Sequence, residues 1–403
     1  MRLETEEIIG TAQGWRALLA RVTSTGRFIP ELDGLRTLAI LAVFLQHLQQ
    51  QLSKVSHATI TAPQDVIVRM IADSRLGVEL FFVISGFILG VPFARAGLLG
   101  GRPVQLSAYY LRRLTRLEPP YLLHLLIVAL VLVVAGADAC TVGVHALTSA
   151  AYINNLVFGQ WHPATLNTVT WSLEVEVQFY LLAPILGRIF RVRGTTLRRL
   201  AIVMSAFTVF AARHAIEWRT GPLPPTLLNY FPDFAAGFLL ADFYVGSWSG
   251  QPPAQGGWDA AALILWLALP AFCLVPLPAP TLFVAAGLFC AVFAALRSRY
   301  VKRALASYWV RTIGGWCYSF YLLHLLLLRV FVPWLRVPLD GATTGSLALG
   351  ALIFAPPILA ITAVYSSPSR NRVCGPTGGA GGPLLQTDKP SIVQIEPGDR
   401  VDR

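Results

Sequence analysis

Long apolar blocks, interrupted by short stretches rich in arginine, glycine and proline, dominate the chain from residue 34 onward. A hydrocarbon layer roughly 30 Å thick takes about 20 apolar residues per helix. On that measure the blocks predict spanning helices over 34–52, 76–94, 119–137, 171–188 and 200–216, and five more over 229–246, 259–276, 281–296, 312–333 and 345–365. The pattern therefore predicts an all-α, polytopic membrane helix bundle of about ten transmembrane helices, with a transmembrane domain over 33–367.

The basic residues orient this bundle. The connections 95–118, 187–199 and 297–311 each hold five arginines or lysines, whereas 137–170 holds none. Cytoplasmic loops carry the excess of positive charge, so the three basic connections and both termini are expected in the cytosol. The connection 247–258 departs from the pattern, being uncharged apart from its flanks. Residues 1–32 form a cytosolic leader, in which Ile8, Ile9, Trp15, Leu18, Leu19 and Val22 stand beside Arg16 and Arg21 at mixed helical spacing. Such a stretch fits either an amphipathic segment on the inner surface or a plain leader. Glycines and prolines crowd the residues after Pro368, so a disordered cytosolic tail is expected over 368–403.

Composition supports the membrane class. Of the 403 residues, 55% are hydrophobic and 13% charged, about half the charged share of a soluble domain, and the mean hydropathy is +0.59. The net charge of +11 is spread through connections and tails rather than along one polar face, which argues against a nucleic-acid partner. Cys140, Cys273, Cys290, Cys317 and Cys374 form no CxxC pair and no metal-ligand spacing with histidine, so no metal is expected.

Polar residues inside apolar blocks are costly and ask for a function. The first block opens with Asp33-Gly-Leu-Arg36 and carries His47 eleven residues beyond Arg36, about 16 Å deeper along a helix axis. His324, in Trp316-Cys-Tyr-Ser-Phe-Tyr-Leu-Leu-His324, is expected at a similar depth, so the two imidazoles are expected to share a cavity. Glu79 and Glu176 reach the same half from blocks running the other way. Ser172, Glu176 and Tyr180, spaced by four, lie on one helix face, which favours Glu176 over Glu174 as the inward acid. A neutral imidazole braced by a carboxylate is a competent general base for a hydroxyl; helix bridging is the plain alternative for such groups. Arg113 and Arg116, three apart near Arg112 and Glu118-Pro119-Pro120, share a face at the basic mouth, where guanidinium forks match phosphate oxygens.

Together these segments resemble acyltransferase family 3, the multispanning membrane O-acyltransferases. The resemblance is carried by Pro30-Glu-Leu-Asp33-Gly-Leu-Arg36 with His47, by Gly77-Val-Glu79-Leu-Phe-Phe-Val-Ile-Ser85-Gly86-Phe87, and by Arg113-Leu-Thr-Arg116 with Pro119 and Tyr121. It continues through Trp171-Ser172-Leu173 with Glu176, Gln178, Phe179 and Tyr180, and Tyr318-Ser-Phe-Tyr-Leu-Leu-His324, in family order. It implies a ten-helix core, a cytosolic acyl-coenzyme A donor, and O-acylation of a carbohydrate or other hydroxyl acceptor. At matched positions it implies His47 as base, Glu176 and His324 within the site, and Arg36, Arg113 and Arg116 in donor binding or core structure. Asp33, Glu79, Ser85, Trp171, Ser172, Gln178 and Tyr180 take supporting places.

The family's usual Tyr, Glu, Pro pattern at the end of the last span is broken here, where Tyr365-Ser-Ser-Pro368-Ser-Arg370 lacks the glutamate. No soluble hydrolase-like domain is read after residue 370. The acceptors implied are membrane-bound sugar precursors, lipids or glycosylated small molecules such as macrolides, and the location implied is the plasma membrane, as in a bacterial cytoplasmic membrane. Two other classes compete: a transporter or flippase using buried His and Glu, disfavoured because the two halves show no matching pair of broken helices, and a structural scaffold, which leaves the costly polar residues unexplained. Oligomeric state is not legible in the sequence.

Overall fold

The computed structural model describes residues 29–56, 65–72, 75–159, 166–272, 274–275, 280–335, 339, 341 and 343–371, with side chains as far as 366. The amphipathic stretch of the leader and nearly all of the expected tail lie outside these residues. The described residues are predominantly helical, with no strand among them.

In chain order the helices are α1 Pro30–Val55, α2 Val66–Ala72, α3 Leu76–Leu98, α4 Leu106–Val134, α5 Ala139–Ala150, α6 Asn154–Phe158, α7 Trp171–Leu186 and α8 Thr195–Thr220. They continue as α9 Leu227–Asp242, α10 Gly257–Phe272, α11 Pro280–Arg297, α12 Tyr300–Leu305, α13 Tyr308–Gly315, α14 Cys317–Leu335 and α15 Thr344–Asn371. Six of these, α3, α4, α8, α11, α14 and α15, are long and apolar enough to cross a membrane. The remaining blocks read from the sequence are helical as well, in α1, α7, α9 and α10, but are shorter or more polar. The protein is thus an all-helical membrane bundle.

Two boundaries differ from the sequence reading for identifiable reasons. Pro119-Pro120 read as a helix start, since proline lacks the N–H that a helix interior needs. In the structure α4 runs through both prolines from Leu106, so Arg112, Arg113 and Arg116 stand on a helix rather than in a connection. The block 312–333 is divided at Trp316 into α13 and α14. There Gly314 presses against the backbone of Asp33, leaving no room for a side chain. The connection 137–170 also contains two short helices, α5 and α6.

Packing centres on α1 and α3. The start of α1 is held by α12 and α13: Gly34 abuts the Leu305 backbone, Thr37 Oγ1 donates to Val310 O at 2.5 Å, and Lys302 Nζ lies 3.6 Å from Glu31. Helix α3 crosses α9 through small residues. Gly86 and Gly90 on α3 meet the backbone of Phe234 and the Cβ of Ala241, and Gly237 on α9 meets the backbone of Val83 and Phe87. Helices in lipid gain little from hydrophobic transfer between themselves, so this close approach supplies the van der Waals contact that holds them. The basic end is closed by Asp242, fully buried, which accepts from Arg198 and Arg199. Arg199 also lies 3.7 Å over the Phe243 ring, in the π-helical turn Phe243–Ser247.

This packing gives a differential expectation. Gly237→Ala should force α3 and α9 apart and destabilise the fold by about 1–3 kcal/mol, lowering the unfolding midpoint in detergent. Gly143→Ala on α5, where a new Cβ meets nothing within 4 Å, should leave the midpoint unchanged or raise it by the helix preference of about 0.5–1 kcal/mol.

Candidate active site

His47 and His324 meet where α1 packs against α14. Their ring centres are 5.1 Å apart, and His324 Nε2 is 3.2 Å from His47 Nδ1. His324 is fully buried, and its Nδ1 lies 2.8 Å from Tyr321 O and 3.1 Å from Phe320 O. Both of those partners are acceptors, so His324 Nδ1 carries the hydrogen and His324 Nε2 presents a lone pair. His47 Nδ1 in turn faces that lone pair and Val43 O, 2.9 Å away. Two acceptors again require a donor, so His47 is the Nδ1–H tautomer and its Nε2 is the unprotonated nitrogen. This assignment follows from the hydrogen-bond network.

The brace on His47 is therefore an imidazole, whereas the sequence pointed to a carboxylate. Glu176 lies elsewhere, accepting from Ser85 Oγ at 2.7 Å and from Tyr180 Oη at 2.5 Å. It belongs to a half-open cavity lined by Arg36, Ser85, Arg113, Arg116, Ser172, Glu176, Tyr180, Cys317, Tyr318 and Tyr321, with apolar walls that include Phe81, Phe82 and Leu173. The residues spaced by four on α7, namely Ser172, Glu176 and Tyr180, all face it. So do the three arginines. Arg36 is ion-paired with Asp33 one turn earlier. Arg113 lies 5.7 Å above the Tyr180 ring and 5.9 Å above Tyr109, and its Nε is buried with no hydrogen-bond partner among the described residues. Neither imidazole is part of the cavity lining.

The remaining candidates separate. Glu79 is buried on α3 and interacts electrostatically with Asp233 of α9, away from the cavity. Trp171 packs on the rings of Phe82 and Tyr230. Gln178 accepts from Leu227 N at 2.8 Å and so caps α9. Glu174, not singled out for the site, is buried and accepts from the backbone N–H of Asn155 with both oxygens, which fixes the short helix α6.

Several structural partners of the site were missed in the sequence. Asn167, ahead of the 3₁₀ turn Thr168–Thr170 that leads into α7, donates through Nδ2 to Leu322 O at 3.1 Å and to His124 Nε2 at 2.9 Å. It thereby ties α14, two residues before His324, to α4. Asp233 is fully buried with no hydrogen-bond partner for either oxygen among the described residues. His124 and Asp233 each interrupt an apolar block, so the rule that flagged His47 also applied to them. Asn167 sits in a connection and gave no such signal. At the far end of α15, Tyr365 donates to Pro120 O at 2.7 Å, anchoring the helix at the position where the usual glutamate is missing.

Comparison with known proteins adds the family. The family model described as an acyltransferase domain matches residues 29–366. The acyltransferase MdmB of Streptomyces mycarofaciens is 26% identical over 333 residues, covering 75% of this chain and 79% of that protein. The O-acetyltransferase OatA of Staphylococcus aureus (strain NCTC 8325 / PS 47) is 27% identical over 168 residues, 40% of this chain and 24% of that protein. No solved structure matches.

Asn167→Ala would leave His124 Nε2 buried without a donor, which costs about 1–3 kcal/mol, and would remove the second donor from Leu322 O, which keeps its bond within α14. A clearly lower unfolding midpoint is expected, and an unchanged midpoint would show that water replaces the amide.

Proposed function

This chain belongs to the acyltransferase family whose domain spans residues 29–366, and we propose that it transfers an acyl group from acyl-coenzyme A to a hydroxyl of a carbohydrate-containing acceptor. The acceptor classes that fit are surface polysaccharide precursors, glycolipids and glycosylated small molecules such as macrolides. The observation that carries this reading is the bare Nε2 of His47, oriented by His324 and set beyond a cavity lined by three arginines.

An alcohol has no useful nucleophilicity at neutral pH until its proton is removed. His47 Nε2 would take that proton while Nδ1–H stays bonded to His324 Nε2 and Val43 O, so the ring neither rotates nor changes tautomer as it becomes charged. The hydroxyl oxygen bonds to the thioester carbonyl carbon, the tetrahedral intermediate collapses by breaking the C–S bond, and the imidazolium returns the proton to the departing sulfur. The ester and the free thiol are the products, and His47 ends neutral.

The donor's phosphates suit the guanidinium groups of Arg113 and Arg116, since arginine forks pair with phosphate oxygens in a fixed geometry. Arg36, already paired with Asp33, supports the wall rather than offering a free fork. Glu176 is held by Ser85 and Tyr180 within the same cavity, where its charge offsets the arginines and keeps the mouth from being purely cationic. On this reading the basic end of the bundle faces the cytosol, the source of the donor, and the membrane is a bacterial cytoplasmic membrane.

Membranes containing the protein, supplied with labelled acyl-coenzyme A and sugar, lipid and macrolide acceptors, should incorporate label into one acceptor class. His47→Ala should lower incorporation by about 10²–10⁴-fold while the protein stays folded, and retained turnover in that variant would refute the assignment. Arg116→Gln should raise the KM for the donor with a smaller change in kcat, separating donor binding from proton transfer.

A further inference from the structure

One aromatic ring stands between the arginine cavity and the imidazole pair. Tyr321 of α14 lines the cavity, and its ring centre lies 5.9 Å from that of His324 and 6.5 Å from that of Phe81 across the cavity wall. Its hydroxyl is held at two points: it donates to Val169 O, and with its single hydrogen so committed it accepts from Ser172 Oγ at 2.7 Å. The backbone of Tyr321 is fixed by α14, and its hydroxyl by the start of α7. Swinging the ring aside therefore breaks two buried hydrogen bonds.

Cys317, Tyr321 and His324, spaced by four and three, form one stripe along α14 that runs from the cavity to the base. A donor held by the arginines lies on one side of Tyr321 and the proton acceptor on the other, so the acyl carbonyl has to pass this ring to react. We propose that Tyr321 is a specificity-determining residue that sets the length of the acyl group able to reach His47. This inference rests on the acyl transfer proposed above.

On this proposal the ring limits what can pass beside Phe81 to a short chain. Removing it joins the cavity to the imidazole pair and admits longer chains, and water as well. Water then replaces the acceptor: His47 Nε2 takes a proton from water, the oxygen bonds to the carbonyl carbon, the C–S bond breaks, and the sulfur leaves as the thiol with the proton returned by the imidazolium. The product is the free acid.

The test uses wild-type protein, Tyr321→Ala, Tyr321→Leu, and the double variant of Tyr321→Ala with His47→Ala, all purified in the same detergent. Each is given acetyl-, butyryl- or hexanoyl-coenzyme A without acceptor, and free thiol is followed. In wild type, release should be slow and should fall from acetyl to hexanoyl. In Tyr321→Ala the ratio of hexanoyl to acetyl release should rise by about tenfold or more, the scale on which a pocket discriminates chain length. The double variant should lose this release and fall below the wild-type rate for every donor, since the release passes through the base. If Tyr321→Ala does not fold, Tyr321→Leu, which keeps an apolar side chain while removing the ring, decides by the same ratio. An unchanged ratio in a folded variant overturns the role of Tyr321 and leaves acyl transfer standing. Failure of wild-type protein to retain labelled acetyl-coenzyme A overturns both.

Discussion

The hydrogen bond between His47 and His324 is the contact on which the chemistry proposed for this bundle depends. Inside an apolar helix packing, each ring N–H must find an acceptor, and each nitrogen without hydrogen is left for a donor or a substrate. His324 gives its hydrogen to the backbone of its own helix, His47 gives its hydrogen to His324 and Val43, and the chain of donors ends at His47 Nε2. An acidic partner would have added a buried charge beside the ring. The imidazole fixes the same tautomer without one.

Everything else positions that pair relative to the arginine cavity. Helix α1 carries both Arg36 and His47, so its rise alone sets their separation along the bundle. Its start is fixed by the close approach of Gly34 and Gly314 to their neighbours, and its partner α14 is clipped to the chain ahead of α7 through Asn167 and Val169 and to the first turn of α7 through Ser172. The glycine crossing of α3 and α9 holds the opposite wall, from which Ser85 reaches Glu176. Short polar contacts fix the site, while van der Waals packing of small residues fixes the walls.

The sequence reading went wrong where local signals compete with packing. Two consecutive prolines look like a boundary, yet α4 passes through them, because a long helix tolerates lost N–H bonds when neighbouring groups and water serve the freed carbonyls. Glu176 was read as the brace for His47 from its depth and helical face. Both features hold, but the face points into the cavity with Ser172 and Tyr180. Tyr321, given no role of its own in the sequence reading, lines the cavity, and its ring centre lies 5.9 Å from that of His324.

The sequence by itself determined the class: apolar blocks, basic connections and costly intramembrane polar groups impose an all-helical membrane bundle, and the eleven-residue step along one helix from Arg36 to His47 imposes their separation. Depth along a helix is a one-dimensional quantity, so it is written in the spacing. Which side chains face each other across helices is not, because it depends on the rotation and crossing of elements distant in the chain. The tertiary structure alone decided that His47 is braced by His324 and not by a carboxylate, that Glu176 joins the arginines, and that Tyr321 lies against both the cavity and His324.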